Sequence, residues 1–258
     1  MNQDTGLSLV ASRAELLRAL EDGPVRKESL SAQVSPSRST VDRGLRSLES
    51  HGLVKRVDGE YRLTAVGRVL LSEYDRYTAS VAAVLDAEPV LSAVPGEVDL
   101  PADLFVGATV FAPSPTDPYG PLEHGIASVA RADRVRSLVT TPLTRYAELF
   151  EGGLLPTDGS ASICLASDAI GKLVAERPTW FETAIDRPDV AVLEVPAEPP
   201  FTLALVEDDG TRSVTFAVFD DHGVSAGLTN DSPGAVEWAD TFLEDWCGDA
   251  TTVSPPER

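Results

Sequence analysis

The stretch from Ser35 to Gly52 constrains this chain more than any other, because it carries its own start, its own stop and an unambiguous period. Ser35 is placed to cap free backbone N–H groups, and Pro36 suits a first helical position, where its missing donor costs nothing. Gly52 offers a left-handed stop. Between them Val41, Leu45 and Leu48 recur at i, i+4 and i+7 and form one apolar stripe that must face a core. At about 100° per residue the opposite side presents Ser39, Arg43 and Arg46, with Ser37, Arg38 and Thr40 at the N-terminal end. The spacing therefore predicts a helix with a buried seam and a cationic, hydroxyl-rich outer face.

Such a face meets the requirements of a helix entering a DNA major groove. Arginine forks bond guanine edges or phosphates, small hydroxyl residues permit close approach, and a helix N-terminus favours a phosphate. An ordinary amphipathic helix with a solvated basic side would look the same in isolation, so the neighbours decide. Residues 26–34 read as a short helix with Leu30 and Val34 inward, a tight link away. After Gly52, residues 53–57 read as a strand, Asp58-Gly59 as a hairpin turn and residues 60–63 as the return strand. Upstream, residues 9–20 read as a helix pointing Leu16, Leu17 and Leu20 inward, and residues 1–8 as a loose arm. This order resembles a winged helix-turn-helix domain over residues 1–64. The resemblance implies that Ser37, Arg38, Ser39, Thr40, Arg43 and Arg46 face the groove of double-stranded DNA, while Lys55, Arg56 and Arg62 follow the phosphates. A winged-helix module used only for protein contacts is the competing reading.

Charge is distributed to match. The 258 residues carry a formal net charge of −20, yet residues 1–70 hold 11 Lys/Arg against 9 Asp/Glu, leaving 10 against 32 for the rest. An anionic body repels nucleic acid, so confinement of cations to one module is informative. Only three of the 21 basic residues are lysine, namely Lys27, Lys55 and Lys172. An acidic, lysine-poor surface stays hydrated in concentrated salt, and predicts a halophile's cytoplasm; a merely acidic mesophilic protein is the alternative. No segment approaches ~18 consecutive apolar residues, so no membrane association is expected. The two cysteines, Cys164 and Cys247, show no metal or secretory spacing and are expected to be buried hydrophobes, with a redox switch as the lesser reading.

Beyond Thr64, residues 65–85 place Val66, Val69, Leu70, Tyr74, Tyr77, Val81, Val84 and Leu85 at helical spacing. This helix could pair with its copy in a homodimer or cover the adjoining domains. Residues 65–103 read as a connecting helix and linker, because Pro89, Pro95, Gly96 and Pro101 break the pattern after residue 86. Residues 104–250 alternate strands (104–111, 135–140, 161–166, 190–195, 201–206, 214–219, 224–228) with helices (121–132, 142–150, 168–176, 233–246). Parallel βαβ units followed by an antiparallel meander are expected, with residues 251–258 as a tail. The fold class is thus an α+β winged helix-turn-helix domain followed by a mixed α/β domain.

Catalytic motifs are missing from the sequence. It has no phosphate-binding loop, nucleophile elbow or zinc-binding His-Glu-x-x-His, and His51, His124 and His222 are far apart. Asp208-Asp209 and Asp220-Asp221 read as turn residues in an acidic chain. No enzyme activity, cofactor or metal is expected. A small-molecule effector at the carboxyl ends of the strands is plausible chemistry, held by Ser114, Thr116, Tyr119, Thr140, Thr141 and Arg145. The two-part plan, with phrases such as Ser137-Leu138-Val139-Thr140-Thr141-Pro142 and Gly223-Val224-Ser225-Ala226-Gly227-Leu228-Thr229, resembles archaeal winged-helix transcription regulators of the methanogenesis-regulator type. That resemblance implies a regulator whose α/β domain senses a ligand or mediates assembly. An enzyme with a DNA-targeting module and a non-sensing partner-binding protein are the alternatives.

Overall fold

The computed structural model describes residues 3–34, 37–96, 98–117, 120–140, 155–156, 158–220 and 223–253. It comprises two compact units, Met1–Ala79 and Ser80–Arg258.

In the first unit α1 (Gln3–Arg18) begins inside the stretch expected to be a loose arm. The reason is that Val10, Ala14 and Leu17 continue the helical period and are all buried, which rewards ordering of the chain before residue 9. A two-residue strand β1 (Val25–Arg26) precedes α2 (Lys27–Gln33). Helix α3 (Arg38–Ser50) starts two residues later than Pro36 would require, with Ser37 in the cap position. The Ser37 carbonyl accepts from the Thr40 and Val41 N–H groups at 2.9 and 3.0 Å; Ser35 and Pro36 lie outside the described residues. Val41, Leu45 and Leu48 are buried as their spacing predicts, and Gly52 adopts φ +73°.

Strands β2 (Val54–Val57) and β3 (Glu60–Leu63) form the hairpin, turned by Asp58 and Gly59 at φ +52° and +84°. The sheet order β1-β3-β2 shows a third strand that was not expected, its second residue Arg26 having been read as the start of the helix. The hairpin is tied to α4 (Ala65–Asp86) at its base. The Thr64 hydroxyl donates to the Gly52 carbonyl at 2.7 Å and accepts from the Gly67 N–H at 3.0 Å, so it also caps the helix. Gly67 is required there: a Cβ at that position would stand 2.0 Å from the Leu53 carbonyl oxygen.

The second unit holds an eight-stranded sheet of order β11-β7-β6-β5-β8-β9-β10-β4. Its strands are β4 (Thr109–Phe111), β5 (Arg134–Val139), β6 (Ser160–Ala166), β7 (Val190–Val195), β8 (Thr202–Asp208), β9 (Thr211–Asp220), β10 (Gly223–Asn230) and β11 (Thr251–Thr252). Only β5, β6 and β7 run parallel, and the rest pair antiparallel. Strict alternation separates the two faces: Leu138, Cys164, Leu203, Leu205, Val214 and Phe216 share one core with α9 (Pro233–Cys247), whereas Val135, Ile163, Leu165, Ala204 and Val206 share another with α7 (Ser167–Glu176) and α8 (Pro178–Asp186). Helix α6 (Gly120–Arg131) precedes β5.

Several expectations are corrected. The stretch read as a linker enters the second core, since Ala87, Val90 and Leu104 are fully buried; short α5 (Glu88–Leu91) and a 3-10 turn (Ala102–Leu104) carry them. Proline and glycine there mark bends between packed turns rather than a solvated connection. The strand expected over 104–111 shrinks to β4 and lies at the sheet edge, and α8 and β11 had no clear signal. The helix expected over 142–150 lies outside the described residues. Cys164 and Cys247 are not separate hydrophobes but are joined as a disulfide with Cα atoms 6.3 Å apart.

Candidate nucleic-acid interface

Helix α3 directs its residues as its period demands. Ser37, Arg38, Ser39, Arg43 and Arg46 are exposed, and Thr40 is half-buried. The Ser37 hydroxyl lies 3.1 Å from that of Ser39 and 3.0 Å from that of Thr40, so three hydroxyls cluster at the helix N-terminus. Arg38 and Arg43 have no carboxylate partner among the described residues. Arg46 differs. Its guanidinium pairs with Asp42 one turn earlier, and Lys27 on α2 pairs with the same carboxylate. Hydrogen bonds from Lys27 first and Arg46 second hold the Asp42 carboxyl below its ordinary value. The i, i+4 spacing of Asp42 and Arg46 was visible in the sequence; the reach of Lys27 was not.

The hairpin divides its cations between two faces. Lys55 stands directly opposite Arg62, and Arg56 opposite Tyr61. Because side chains alternate along a strand, Arg56 cannot share a face with Lys55 and Arg62. It covers the buried Tyr61 ring, with its guanidinium carbon 5.7 Å from the ring centroid. Of the three cations expected to follow the phosphates, Lys55 and Arg62 share one face of the hairpin and Arg56 lies on the other. Like charges directly opposite each other weaken a hairpin, and the Arg62 Nε is buried without a hydrogen-bond partner among the described residues. An anion resting on this face would relieve the repulsion.

Of the residues expected to hold an effector, the three described ones, Ser114, Thr116 and Thr140, do not converge. Ser114 and Thr116 sit in their own turn, where Ser114 bridges to Asp117 and its hydroxyl lies 3.2 Å from that of Thr116. That turn follows edge strand β4, four strands from β5 in the sheet order, or roughly 19 Å at about 4.8 Å per strand. Thr140 stands at the end of β5, its amide donating to the Thr202 hydroxyl at 3.3 Å. It lines a polar cleft of about 280 Å³ with Ser167, Asp168, Lys172 and Glu198, at the carboxyl ends of the parallel strands. Lys172 and Glu198 were missed because neither belongs to a local motif. Tyr119, Thr141 and Arg145 lie outside the described residues. No group of three or more metal-ligating side chains is found among the described residues. Nor is any described helix long and apolar enough to cross a membrane.

Two family descriptions match this sequence. Residues 2–86 match the HVO_A0261 N-terminal domain. Residues 118–249, just over half of the chain, match the middle domain of the methanogenesis regulatory protein FilR1. The chain belongs to the FilR1 middle-domain family. The FilR1-type region falls wholly within the second unit and includes β5 to β10 and α6 to α9. No curated protein matches the sequence. Similar solved structures include TrmBL2, an archaeal chromatin protein whose structure shows a novel mode of DNA binding, at 13% identity and TM-score 0.38 over 98% of this chain and 100% of that one. NucT from Helicobacter pylori is similar at 9% identity and TM-score 0.43 over 57% of this chain and 98% of that one. Likenesses this distant bear on neither fold nor function.

Proposed function

We propose that this FilR1-family protein is a sequence-specific transcription regulator of double-stranded DNA, read by an N-terminal winged helix. The observation that carries this reading is the freedom of Arg38 and Arg43 on an exposed helix face beside a hairpin bearing the opposed Lys55/Arg62 pair. Arg38, Ser39 and Arg43 contact base edges, and Lys55 and Arg62 contact phosphates. The protein acts as a homodimer, which α4 supports by leaving Val66, Val69 and Tyr77 exposed at 54, 61 and 60%. The second unit takes a small polar effector in the cleft beside Thr140 and Lys172.

Selection of bound sequences from a random duplex pool, followed by titration of the preferred and a scrambled duplex, tests the reading. Arg43→Ala is expected to cost ~1–3 kcal/mol of discrimination at one base position, and Lys55→Ala to weaken both duplexes alike and lower the salt slope by about one. Equal losses on both duplexes for Arg43→Ala would remove that residue from base reading, and the absence of any selected sequence would sink the proposal. Sedimentation of Val69→Glu against the parent chain tests the dimer separately.

A further inference from the structure

We propose that the second unit binds a small neutral polyol in a hydroxyl-lined cleft between α6 and the β9-β10-β4 edge of the sheet, separate from the cleft beside Thr140. A helix packed on a sheet ordinarily buries apolar side chains, as α7 and α8 do. Under α6 the sheet instead presents Ser213 and Thr215 from β9, Thr229 from β10 and Thr109 from β4; Thr229 pairs with Thr215 on one side and Thr109 on the other. The helix comes close at Gly125, where a Cβ would stand 3.0 Å from the Thr215 methyl. Beside that contact a cleft of about 250 Å³ opens, with Thr109, Ser213, Thr229, His124 and Ser128 on its walls. This volume far exceeds that needed for one water, and suits a molecule of a few carbons.

The floor is rigid. Asn230, 3% exposed, donates its side-chain amide to the Leu104 and Val106 carbonyls at 2.9 and 3.0 Å and accepts from the Ser232 N–H at 2.8 Å. His124 is also held: Nδ1 donates to the Gly120 carbonyl at 2.9 Å, and its ring stacks on Phe111 with centroids 4.2 Å apart. With Nδ1 committed to that carbonyl, Nε2 is the ring nitrogen left to meet a ligand, next to an aromatic surface suited to C–H groups. The Thr215 hydroxyl is buried without a hydrogen-bond partner among the described residues, and it belongs to the same row. Thr215 itself lies against α6 at Gly125 and not on the cleft wall, so the hydroxyls of the row that a ligand meets are those of Ser213, Thr229 and Thr109.

Charge narrows the ligand class. The lining includes no Lys or Arg and one carboxylate, Asp231, so a phosphate or carboxylate ligand is disfavoured. Thr109, Ser213 and Thr229 bring hydroxyls that can donate and accept, and Ser128, whose proton goes to the His124 carbonyl at 3.1 Å, still accepts, which matches a ligand that itself carries several hydroxyls. Isothermal titration of the full chain, without DNA, with glycerol, erythritol and myo-inositol tests the proposal, with glycerol 3-phosphate and putrescine as charged counterparts. Saturable binding of a neutral probe is expected, weakened about tenfold by Thr229→Val and by Ser128→Ala, each of which removes one hydrogen bond. No binding by any neutral probe, binding unchanged in both folded variants, or preference for a charged probe would overturn it. Each of these outcomes is independent of whether the first unit reads DNA.

Discussion

Single residues set both the cationic face of α3 and its restraint. Asp42 neutralises part of the cationic face by holding Lys27 and Arg46 together, so Asp42→Asn is expected to release both cations toward phosphate. Affinity for any duplex should rise and the salt slope should steepen by about one, as measured by anisotropy titration over a salt series. An unchanged slope would show that Arg46 already reaches the backbone. Two glycines separate packing from propensity. Gly67→Ala forces a methyl group against the Leu53 carbonyl and should cost ~1–3 kcal/mol. Gly171→Ala meets no atom within 4 Å inside helix α7 and should stabilise by ~0.5–1 kcal/mol. Urea unfolding of both variants beside the parent checks the opposite signs.

At the scale of elements, α9 is the strut of the second unit. Ser232 caps it by accepting from the Ala235 N–H at 3.3 Å, and Ala235, Ala239 and Leu243 form its fully buried seam. Asp240 on its flank pairs with Arg136 of β5 and Arg212 of β9. The Arg212 hydrogen bond, the larger influence, and Arg136 hold the Asp240 carboxyl below its ordinary 3.8. A carboxyl whose folded value is depressed contributes stability that is present above that ordinary value and disappears as pH falls through the lower folded one. Stability should therefore decline below about pH 4, and Asp240→Asn should flatten part of that decline in acid titrations followed by circular dichroism. The far end of α9 is fastened to β6 by Cys164–Cys247, closing a separation of 83 residues. Reduction should lower stability by about 2–4 kcal/mol, and Cys247→Ser should reproduce the loss and abolish the response to dithiothreitol. Coincident unfolding curves with and without reductant would deny the bond a stabilising role.

For the whole molecule, net charge −20 sets the conditions under which it folds best. Self-repulsion among 41 acids is relieved as the Debye length falls to about 3 Å near 1 M salt, so the melting temperature should climb between roughly 0.1 and 2 M KCl. A flat or falling melting curve would show that acidity is not a salt adaptation. Much of the architecture was legible before any coordinates. The Val41, Leu45, Leu48 stripe, the Asp58-Gly59 turn and the alternating runs that became β5 to β10 are local signals, because a helix or hairpin closes its hydrogen bonds within a few residues. The cations of α3 were legible for the same reason. Neighbours distant in sequence were not. Local pattern cannot say that Lys27 would reach Asp42, that Ala87 and Val90 would join the core of α9, that β4 would end at the sheet edge, or that Cys164 would meet Cys247. Each depends on which surfaces exclude water together once the chain has collapsed, a choice made by long-range packing. Sequence alone determined the strongly periodic elements and the sign of their faces; tertiary structure decided the short edge strands, which charges remain free and which clefts stay open.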